Sequence, residues 1–188
     1  MPFDFTRHRA DSIERYRAVR PLYEHFAESL RAVLRASIPA SCPIHSIEAR
    51  AKGLDQFGDK ASKPADDDAS VPKYPEPMRQ ITDLAGIRII TFFPRNLEDV
   101  GRSIDAEFDV VERRDKGEEL VAEGRFGYQS IHYLVKLRET RTTLAEYRRF
   151  EGLIGEIQAR TILQHAWAEM EHDIQYKSVA AIPALIRR

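Results

Sequence analysis

The segment Gly155–Lys177 reads "GEIQARTILQHAWAEMEHDIQYK" and contains both kinds of element from which this fold is built. Its first part alternates apolar and polar side chains, with Glu156 and Gln158 two residues apart, which is the pattern of a β-strand. The rest is typical of a helix, in which Trp167 and Met170 are expected to pack in the core. Acidic side chains are rarely buried without a partner. The strand face that carries Glu156 and Gln158 therefore lies either against solvent or against a ligand.

The composition is that of an ordinary globular protein. Of the 188 residues, 43% are hydrophobic and 31% are charged, which is enough for one domain with a core. The formal net charge of -1 means that an anionic ligand must meet a local cluster of Arg and Lys. The single cysteine, Cys42, excludes a disulfide framework and a cysteine metal site. Because the N-terminus is polar and no apolar run approaches about 20 residues, we expect a cytoplasmic protein that does not bind membranes.

Residue periodicity predicts an α+β fold. A helix is expected from about residue 11 to residue 36, interrupted or restarted near Pro21, and another is expected to follow Asn96 as its cap. The proline-rich segment 62–77 is expected to be a loop. Strand patterns occur in residues 43–52, 83–93, 109–115, 128–137 and 152–160. Because strands and helices do not alternate regularly, we expect a mixed, partly antiparallel sheet.

Arg50, Lys52 and Lys60 form the first of three polar groups. Arg50 and Lys52 lie two residues apart on a predicted strand, so their side chains share a face. Cations on one face suit a polyphosphate, because charge-assisted contacts to phosphate are strong and geometrically selective. A solvated basic edge explains these residues equally well from the sequence alone.

Asp83 and Arg88 form the second group. Arg88 lies inside an apolar strand, where a guanidinium needs a partner or a ligand. Asp83 stands just before that strand. It is either a cap or turn residue or a ligand of Mg²⁺, which prefers one or two carboxylates together with phosphate oxygens.

Tyr128, Ser130 and His132 form the third group, because they alternate along one predicted strand and share a face. If the strand that carries Glu156 and Gln158 is a neighbour, these side chains line one wall. A carboxylate there is a candidate general base for a hydroxyl, and a tyrosine is a candidate stacking platform for a flat ring. Core packing or exposure to solvent is the simpler explanation for any one of the five residues. It explains less well why all five occur together on two strands.

Four motifs, taken in order, resemble the RelA/SpoT alarmone synthetase domain. They read "RAKGLDQFGDK", "ITDLAGIRII", "GYQSIH" and "EIQARTILQHAWAEMEHDIQYK", and the resemblance extends from about Tyr23 to Lys177. It implies a nucleotidyltransferase-like fold, with a mixed five-stranded sheet flanked by helices. It also implies that the β,γ-pyrophosphate of ATP is transferred to the 3′-hydroxyl of GTP or GDP, which releases AMP and forms (p)ppGpp, with Mg²⁺ as the cofactor.

The resemblance also implies a role for each residue that matches a motif of the family. Asp83 and Glu156 are implied to be the catalytic residues and the Mg²⁺ ligands, and Glu156 is implied to orient or deprotonate the acceptor hydroxyl. The residues implied to bind ATP are Arg50 and Arg88, at the adenine, and Lys52 and Lys60, at the phosphates. The residues implied to bind the acceptor nucleotide are Arg125, Tyr128, His132 and Gln158.

We expect residues 1–188 to form a single synthetase domain. It comprises an N-terminal helical region in residues 1–40, the catalytic core in residues 41–177, and in residues 178–188 the start of a further helix of a longer protein. No His-Asp pair with the context of the family's hydrolase domain precedes Arg50, so a synthetase-only chain is implied. Because small synthetases of this family are often oligomers, the resemblance also implies a homo-oligomer.

Departures from the family pattern leave two other functions open. Gln56 stands where the family usually has a serine, and the segment "AEGRFGY" before the tyrosine lacks the usual lysine and asparagine. A toxic relative with the same donor would pyrophosphorylate the 3′ end of tRNA or an adenosine nucleotide. An RNA acceptor needs a basic surface, and the candidate residues for it are Arg138, Arg141, Arg148 and Arg149. These arginines are also expected on a solvated hairpin that carries charges of both signs. The other function is that of an inactive module that senses nucleotides.

Overall fold

Five strands form a single sheet in the computed structural model, which describes residues 3–117 and 130–177, with residues 171–177 as helical backbone only. The strands are β1 Ile44–Ala51, β2 Ala85–Thr91, β3 Phe108–Asp115, β4 Ile131–Leu137 and β5 Gly155–Thr161. The helices are α1 Phe5–Ser37, α2 Leu54–Ala61, α3 Pro77–Gln80, α4 Pro94–Glu107, α5 Glu139–Thr142 and α6 Ile162–Lys177, with a 3-10 turn at Arg148–Phe150.

The order of the strands across the sheet is β1-β2-β5-β4-β3. The central pair, β2 and β5, is parallel, and every other pair is antiparallel. The α+β class and the mixed, partly antiparallel sheet of five strands are therefore confirmed. Because β5 lies between β2 and β4, polar residues from the second and third groups of the sequence occupy adjacent strands.

Helix α1 is continuous, so the predicted interruption near Pro21 is wrong. The side chain of Asp4 caps the first turn by accepting a hydrogen bond from the backbone N–H of Arg7 at 2.9 Å. A proline inside a helix costs about 3 kcal/mol, but Tyr16 before it and Phe26 after it are both fully buried and hold the two halves against the same protein body. Neither α1 nor any other helix within residues 3–117 and 130–177 is long and apolar enough to cross a membrane.

Helix α4 begins two residues before the predicted cap, so the assignment of Asn96 as a cap is wrong. Pro94 occupies the first turn, where its missing N–H is not needed, and Phe93 takes the N-cap position. Asn96 lies inside the helix with 3% of its surface exposed. The segment 62–77 lacks regular strands and helices until α3 begins at Pro77, as the prediction of a loop requires.

Trp167 and Met170 are not core residues, and that prediction is also wrong. They are 54% and 52% exposed, and Leu163 on the same stripe of α6 is 79% exposed. The less exposed positions of α6 include Ile162 and His165, so the helix rests on the sheet through another face. A short amphipathic pattern gives the period of a helix but not the face that meets the sheet.

The core lies on one face of the sheet, beneath α1 and α4. Its members include Phe26 and Leu30 of α1 and alternate residues of the central strands, such as Ile87 and Ile157. A second apolar cluster joins α1 to α2 around Phe57, which is fully buried. The core therefore does not cover the opposite face of β2 and β5, and the second cluster fixes α2 beside it.

Replacing Gly155 by alanine is expected to destabilise the fold. A Cβ at this position would lie 2.5 Å from Leu30 Cδ1 and 3.4 Å from Phe26 Cε1, inside the packed core between α1 and β5. Because an overpacked core must shift its neighbours, we expect the free energy of unfolding to fall by about 1–3 kcal/mol in urea titrations. The control is Gly86→Ala, where the added Cβ meets only the Arg50 carbonyl oxygen at 3.8 Å. Equal losses in both variants would contradict the packing argument.

Candidate active site

The face of the sheet opposite the core carries polar side chains in register. Gly86 pairs with Arg50 on one side and with Glu156 on the other, and Arg88 pairs with Gln158. Gly86, Arg88, Glu156 and Gln158 are partly exposed, whereas the alternate positions of β2 and β5 are buried, and Arg50 on β1 is exposed. They line one cleft, whose lining among the described residues is Glu48, Ala49, Arg50, Lys52, Asp83, Gly86, Ile87, Arg88, Glu156 and Gln158.

Asp83 lies between two lysines at one end of this cleft. Its Oδ2 accepts a hydrogen bond from Lys52 Nζ at 2.7 Å, and its Oδ1 lies 3.1 Å from Lys60 Nζ. The exposed side-chain fractions of Lys52, Lys60 and Asp83 are 15%, 30% and 22%, so the three charges are largely shielded from solvent. The structure therefore joins the first and second polar groups of the sequence into one cluster.

Contacts with helix α1 and with the segment next to Asp83 hold the backbone of the lysines in place. The carbonyl oxygen of Lys52 accepts hydrogen bonds from Tyr16 Oη at 3.0 Å and from Arg20 Nε at 3.2 Å, both from α1. The amide of Lys52 donates to the carbonyl of Leu84 at 2.9 Å, next to Asp83. Lys60 lies in the last turn of α2, which the second apolar cluster anchors. Side chains far from the motif thus determine where its cations lie.

The pKa of Asp83 is lowered. Burial acts to raise this pKa, but the hydrogen bond from Lys52 and the charges of Lys52 and Lys60 together outweigh it. Asp83 is therefore a carboxylate at neutral pH, and its charge is already compensated by two cations.

Glu156 has a hydrogen-bond donor at each carboxylate oxygen. His132 Nδ1 lies 2.8 Å from Oε1, and Gln158 Nε2 donates to Oε2 at 2.9 Å. Burial acts to raise the pKa of Glu156, but the hydrogen bonds from His132 and Gln158 and the charge interaction with His132 outweigh it, so the pKa is lowered. Glu156 is therefore also a carboxylate at neutral pH. The charge of Asp83 acts on Glu156 as well, which places both acids within electrostatic reach of each other.

Arg88 is flanked by two glutamates that the sequence analysis did not single out. Its Nη1 lies 4.0 Å from Glu48 Oε2 and 3.9 Å from Glu169 Oε1. The alternation of β1 was a usable signal for Glu48, which is two residues before Arg50 on the same face. No signal pointed to Glu169, because its approach to Arg88 depends on how α6 crosses the sheet.

The structure brings together most of the predicted site residues. Arg50, Lys52, Asp83, Arg88, Glu156 and Gln158 line the cleft, while Lys60 and His132 contact two of them directly. Ser130, from the third polar group, contacts His132. Arg125 and Tyr128 lie outside the described residues, so the predictions for them stay predictions.

The carboxylates of the cleft fit a magnesium ion that is shared with a substrate. Within residues 3–117 and 130–177, no group of three or more His, Cys, Asp or Glu side chains could hold a metal by itself. Asp83 and Glu156 are two carboxylates on one cleft, beside lysines that suit phosphate. Mg²⁺ is commonly held by one or two carboxylates plus substrate phosphates rather than by an all-protein cage.

Comparison with known proteins identifies a family and solved structures that share the fold. Residues 49–181 match the model described as a region found in RelA / SpoT proteins. The chain is 30% identical over 148 residues to the GTP pyrophosphokinase YjbM of Bacillus subtilis (strain 168), a match that covers 77% of this chain and 63% of that protein. The chain therefore spans less than two thirds of the length of this relative.

Two similar structures are of the small alarmone synthetase 1 from Bacillus subtilis. The form bound to its product pppGpp superposes with a TM-score of 0.67 at 27% identity, covering 92% of this chain and 85% of that chain. The form bound to AMPCPP gives a TM-score of 0.64 at 25% identity, covering 93% and 84% of the two chains. The sheet and helices described above are thus shared with these proteins.

Replacing Asp83 by asparagine is expected to destabilise the protein at neutral pH but not in acid. Because the folded-state pKa of Asp83 is lowered, its contribution is present above the unfolded-state pKa and is lost as the pH falls through the folded-state value. At pH 7, Asp83→Asn leaves Lys52 and Lys60 without their counterion, which should cost on the order of 1–3 kcal/mol. Urea unfolding of both proteins from pH 7 to about pH 3 checks this. A difference that stays constant over this range would contradict the ion-pair assignment.

Proposed function

The chain belongs to the RelA/SpoT family, and we propose that it is a pyrophosphokinase that transfers the β,γ-pyrophosphate of ATP to the 3′-hydroxyl of GTP or GDP. The products are AMP and (p)ppGpp. One observation carries the proposal: two carboxylates, Asp83 and Glu156, line the same cleft as the cations that a polyphosphate needs. The similar proteins named GTP pyrophosphokinase and small alarmone synthetase support the same reaction.

Arg50 and Arg88 are proposed to hold the adenine of ATP between them. Arg50 is opposite Gly86 in the sheet, and Arg88 is two residues further along β2 on the same face. Such diagonal neighbours lie about 7–8 Å apart, which is the spacing that a flat ring needs when a planar group stacks on each side. Guanidinium groups stack well on aromatic rings, and Gly86 adds no side chain that would fill the gap.

Lys52 and Lys60 are proposed to bind the phosphates of ATP. Both ammonium groups point at Asp83 from different elements, and both are well shielded from solvent. When a polyphosphate enters, these cations can exchange the carboxylate of Asp83 for phosphate oxygens, because each such contact is charge-assisted. Asp83, with Glu156, then becomes available to hold Mg²⁺. The bound ion would supply positive charge to the phosphate oxygens during the transfer.

Glu156 is proposed to orient the acceptor hydroxyl and to take its proton. The 3′-oxygen forms a bond to the β-phosphorus, while the bond between that phosphorus and the oxygen bridging to the α-phosphate breaks. AMP leaves with the bridging oxygen, and the hydroxyl proton passes to Glu156. Because Glu156 is ionised at neutral pH, it can accept a hydrogen bond from the hydroxyl before the reaction. Holding donor and acceptor in line removes much of the entropic barrier of a two-substrate reaction.

The acceptor side of the cleft is assigned to His132 and Gln158, with Arg125 and Tyr128 from the resemblance. His132 and Gln158 pair across β4 and β5, beside Glu156. An acceptor held there would present its hydroxyl to the carboxylate.

Three of the four candidate arginines for a tRNA acceptor contact other groups of the chain. Arg138 donates to the backbone carbonyl of Asp105 at 2.7 Å, and Arg141 pairs with Glu107. Arg149 lies 4.7 Å from the ring centre of Phe150. These contacts within the chain favour the interpretation of a structured, charge-mixed surface over a prepared RNA-binding surface, so guanosine nucleotides remain the proposed acceptors.

Glu156→Gln is expected to abolish most of the transfer. The amide keeps the size of the side chain but cannot accept the hydroxyl proton, so kcat should fall by about 100- to 10,000-fold. The measurement uses ATP labelled at the γ-phosphate, with GDP, GTP, adenosine nucleotides or deacylated tRNA as separate acceptors. The matched control is Glu98→Gln, a glutamate exposed on α4 away from the cleft, which should retain wild-type activity.

The acceptor series separates the candidate functions. Label in a guanosine nucleotide supports the proposal, whereas label only in tRNA or in an adenosine nucleotide would replace the acceptor. Saturable binding of ATP without transfer to any acceptor would indicate the sensing module instead.

Metal binding is expected to depend on nucleotide. Because Asp83 is engaged by Lys52 and Lys60, Mn²⁺ used as a probe for Mg²⁺ should bind the protein weakly alone. It should bind at least about tenfold more tightly when a non-hydrolysable ATP analogue is present. Electron paramagnetic resonance of free Mn²⁺ measures both affinities, after subtraction of the binding by the analogue alone. Tight nucleotide-independent binding, or no effect of Asp83→Asn on the ternary complex, would contradict this assignment.

A further inference from the structure

Ser130, His132 and Glu156 form a continuous chain of hydrogen bonds at the acceptor side of the cleft. Ser130 Oγ lies 2.6 Å from His132 Nε2, and His132 Nδ1 lies 2.8 Å from Glu156 Oε1. Ser130 is 2% exposed, while the side chains of His132 and Glu156 are 19% and 17% exposed. The serine is therefore shielded from solvent, whereas parts of the histidine and the glutamate are accessible from the cleft.

The direction of each hydrogen bond follows from the chemistry of the groups. An ionised carboxylate can only accept hydrogen bonds, so the proton between His132 and Glu156 belongs to Nδ1. In a neutral imidazole, Nε2 is then an acceptor, and the hydroxyl of Ser130 must be its donor. Ser130 thus favours the Nδ1–H form of the ring, because its hydroxyl donates a hydrogen bond to Nε2.

The backbone around Ser130 fixes this chain of contacts in space. The carbonyl oxygen of Ser130 accepts a hydrogen bond from the amide of Lys116 at 2.9 Å, which ties the start of β4 to the end of β3. On the other side, Gln158 is the register partner of His132 and donates to the second oxygen of Glu156. The orientation of the Glu156 carboxylate therefore depends on two donors, one of which is itself held by Ser130.

We infer that Ser130 is a positioning residue, which holds the ring of His132 in its Nδ1–H form and through it aims Glu156 at the acceptor hydroxyl. This inference rests on the proposed function only for its effect on the rate. The hydrogen-bond chain itself is a property of the folded protein without substrates. Ser130 does not contact the reacting atoms in this arrangement.

The test reads the state of the ring directly. Long-range proton–nitrogen NMR spectra at about pH 8, where an ordinary imidazole is neutral, distinguish the Nδ1–H ring from the Nε2–H ring, and His132→Gln identifies the signal. We expect His132 to be the Nδ1–H form in the wild-type protein and a mixture of both forms in Ser130→Ala. The kcat of Ser130→Ala should fall by about tenfold, while KM for ATP stays unchanged, because one hydrogen bond of about 1.4 kcal/mol is lost.

Two further variants separate positioning from packing at this buried position. Ser130→Cys keeps the shape of the side chain, with a larger γ atom, but donates a hydrogen bond only weakly, so it should resemble Ser130→Ala. Ser130→Thr retains the hydroxyl and should restore the Nδ1–H form. An Nε2–H ring or a doubly protonated ring in the wild-type protein at this pH, or wild-type ring spectra in both Ser130→Ala and Ser130→Cys, would overturn the inference. Because the spectra need no substrate, these results stand even if the proposed transfer reaction is not observed.

Discussion

The alternation of side chains along the two central parallel strands, β2 and β5, is the constraint on which the rest of the site depends. Ile87 and Ile157 point into the core beneath α1, so Gly86 and Glu156 must point to the opposite face. A shift of one residue would place the Glu156 carboxylate of β5, or the Arg88 guanidinium of β2, in the core and an isoleucine in the cleft. Burial of the apolar face therefore also fixes the positions of the polar groups on the other face, at no separate energetic cost.

Electrostatic balance in the cleft follows from this geometry. Two ammonium groups converge on the single carboxylate of Asp83, and the arginines of β1 and β2 add further positive charge nearby. Without a polyphosphate, the lysines and Asp83 compensate one another's charge, which makes their burial tolerable. The same arrangement places the cations where an anionic ligand can bind and keeps a carboxylate beside them. The partly buried ion pairs are thus a resting arrangement of groups that the proposed reaction would redistribute.

Glu156 is held differently, because a histidine and an amide rather than lysines contact its two oxygens. Hydrogen bonds from His132 and Gln158 keep it ionised despite its burial, and its orientation is shared between two neighbouring side chains. This separates the roles proposed for the two acids. Asp83 belongs to the cation cluster on the donor side, while Glu156 belongs to a hydrogen-bonded network that extends through His132 to the buried Ser130.

The sequence by itself determined the strands, the mixed sheet and which residues share a face, because these depend on the local period of two and on burial of one face. That is why Arg50 with Lys52, and Glu156 with Gln158, were grouped correctly. Contacts between distant segments were decided only by the tertiary structure. The order β1-β2-β5-β4-β3 brings His132 to Glu156, and the crossing of α6 brings Glu169 to Arg88 while leaving Trp167 exposed. Strand order and helix orientation arise from packing of the whole chain, which no local pattern encodes.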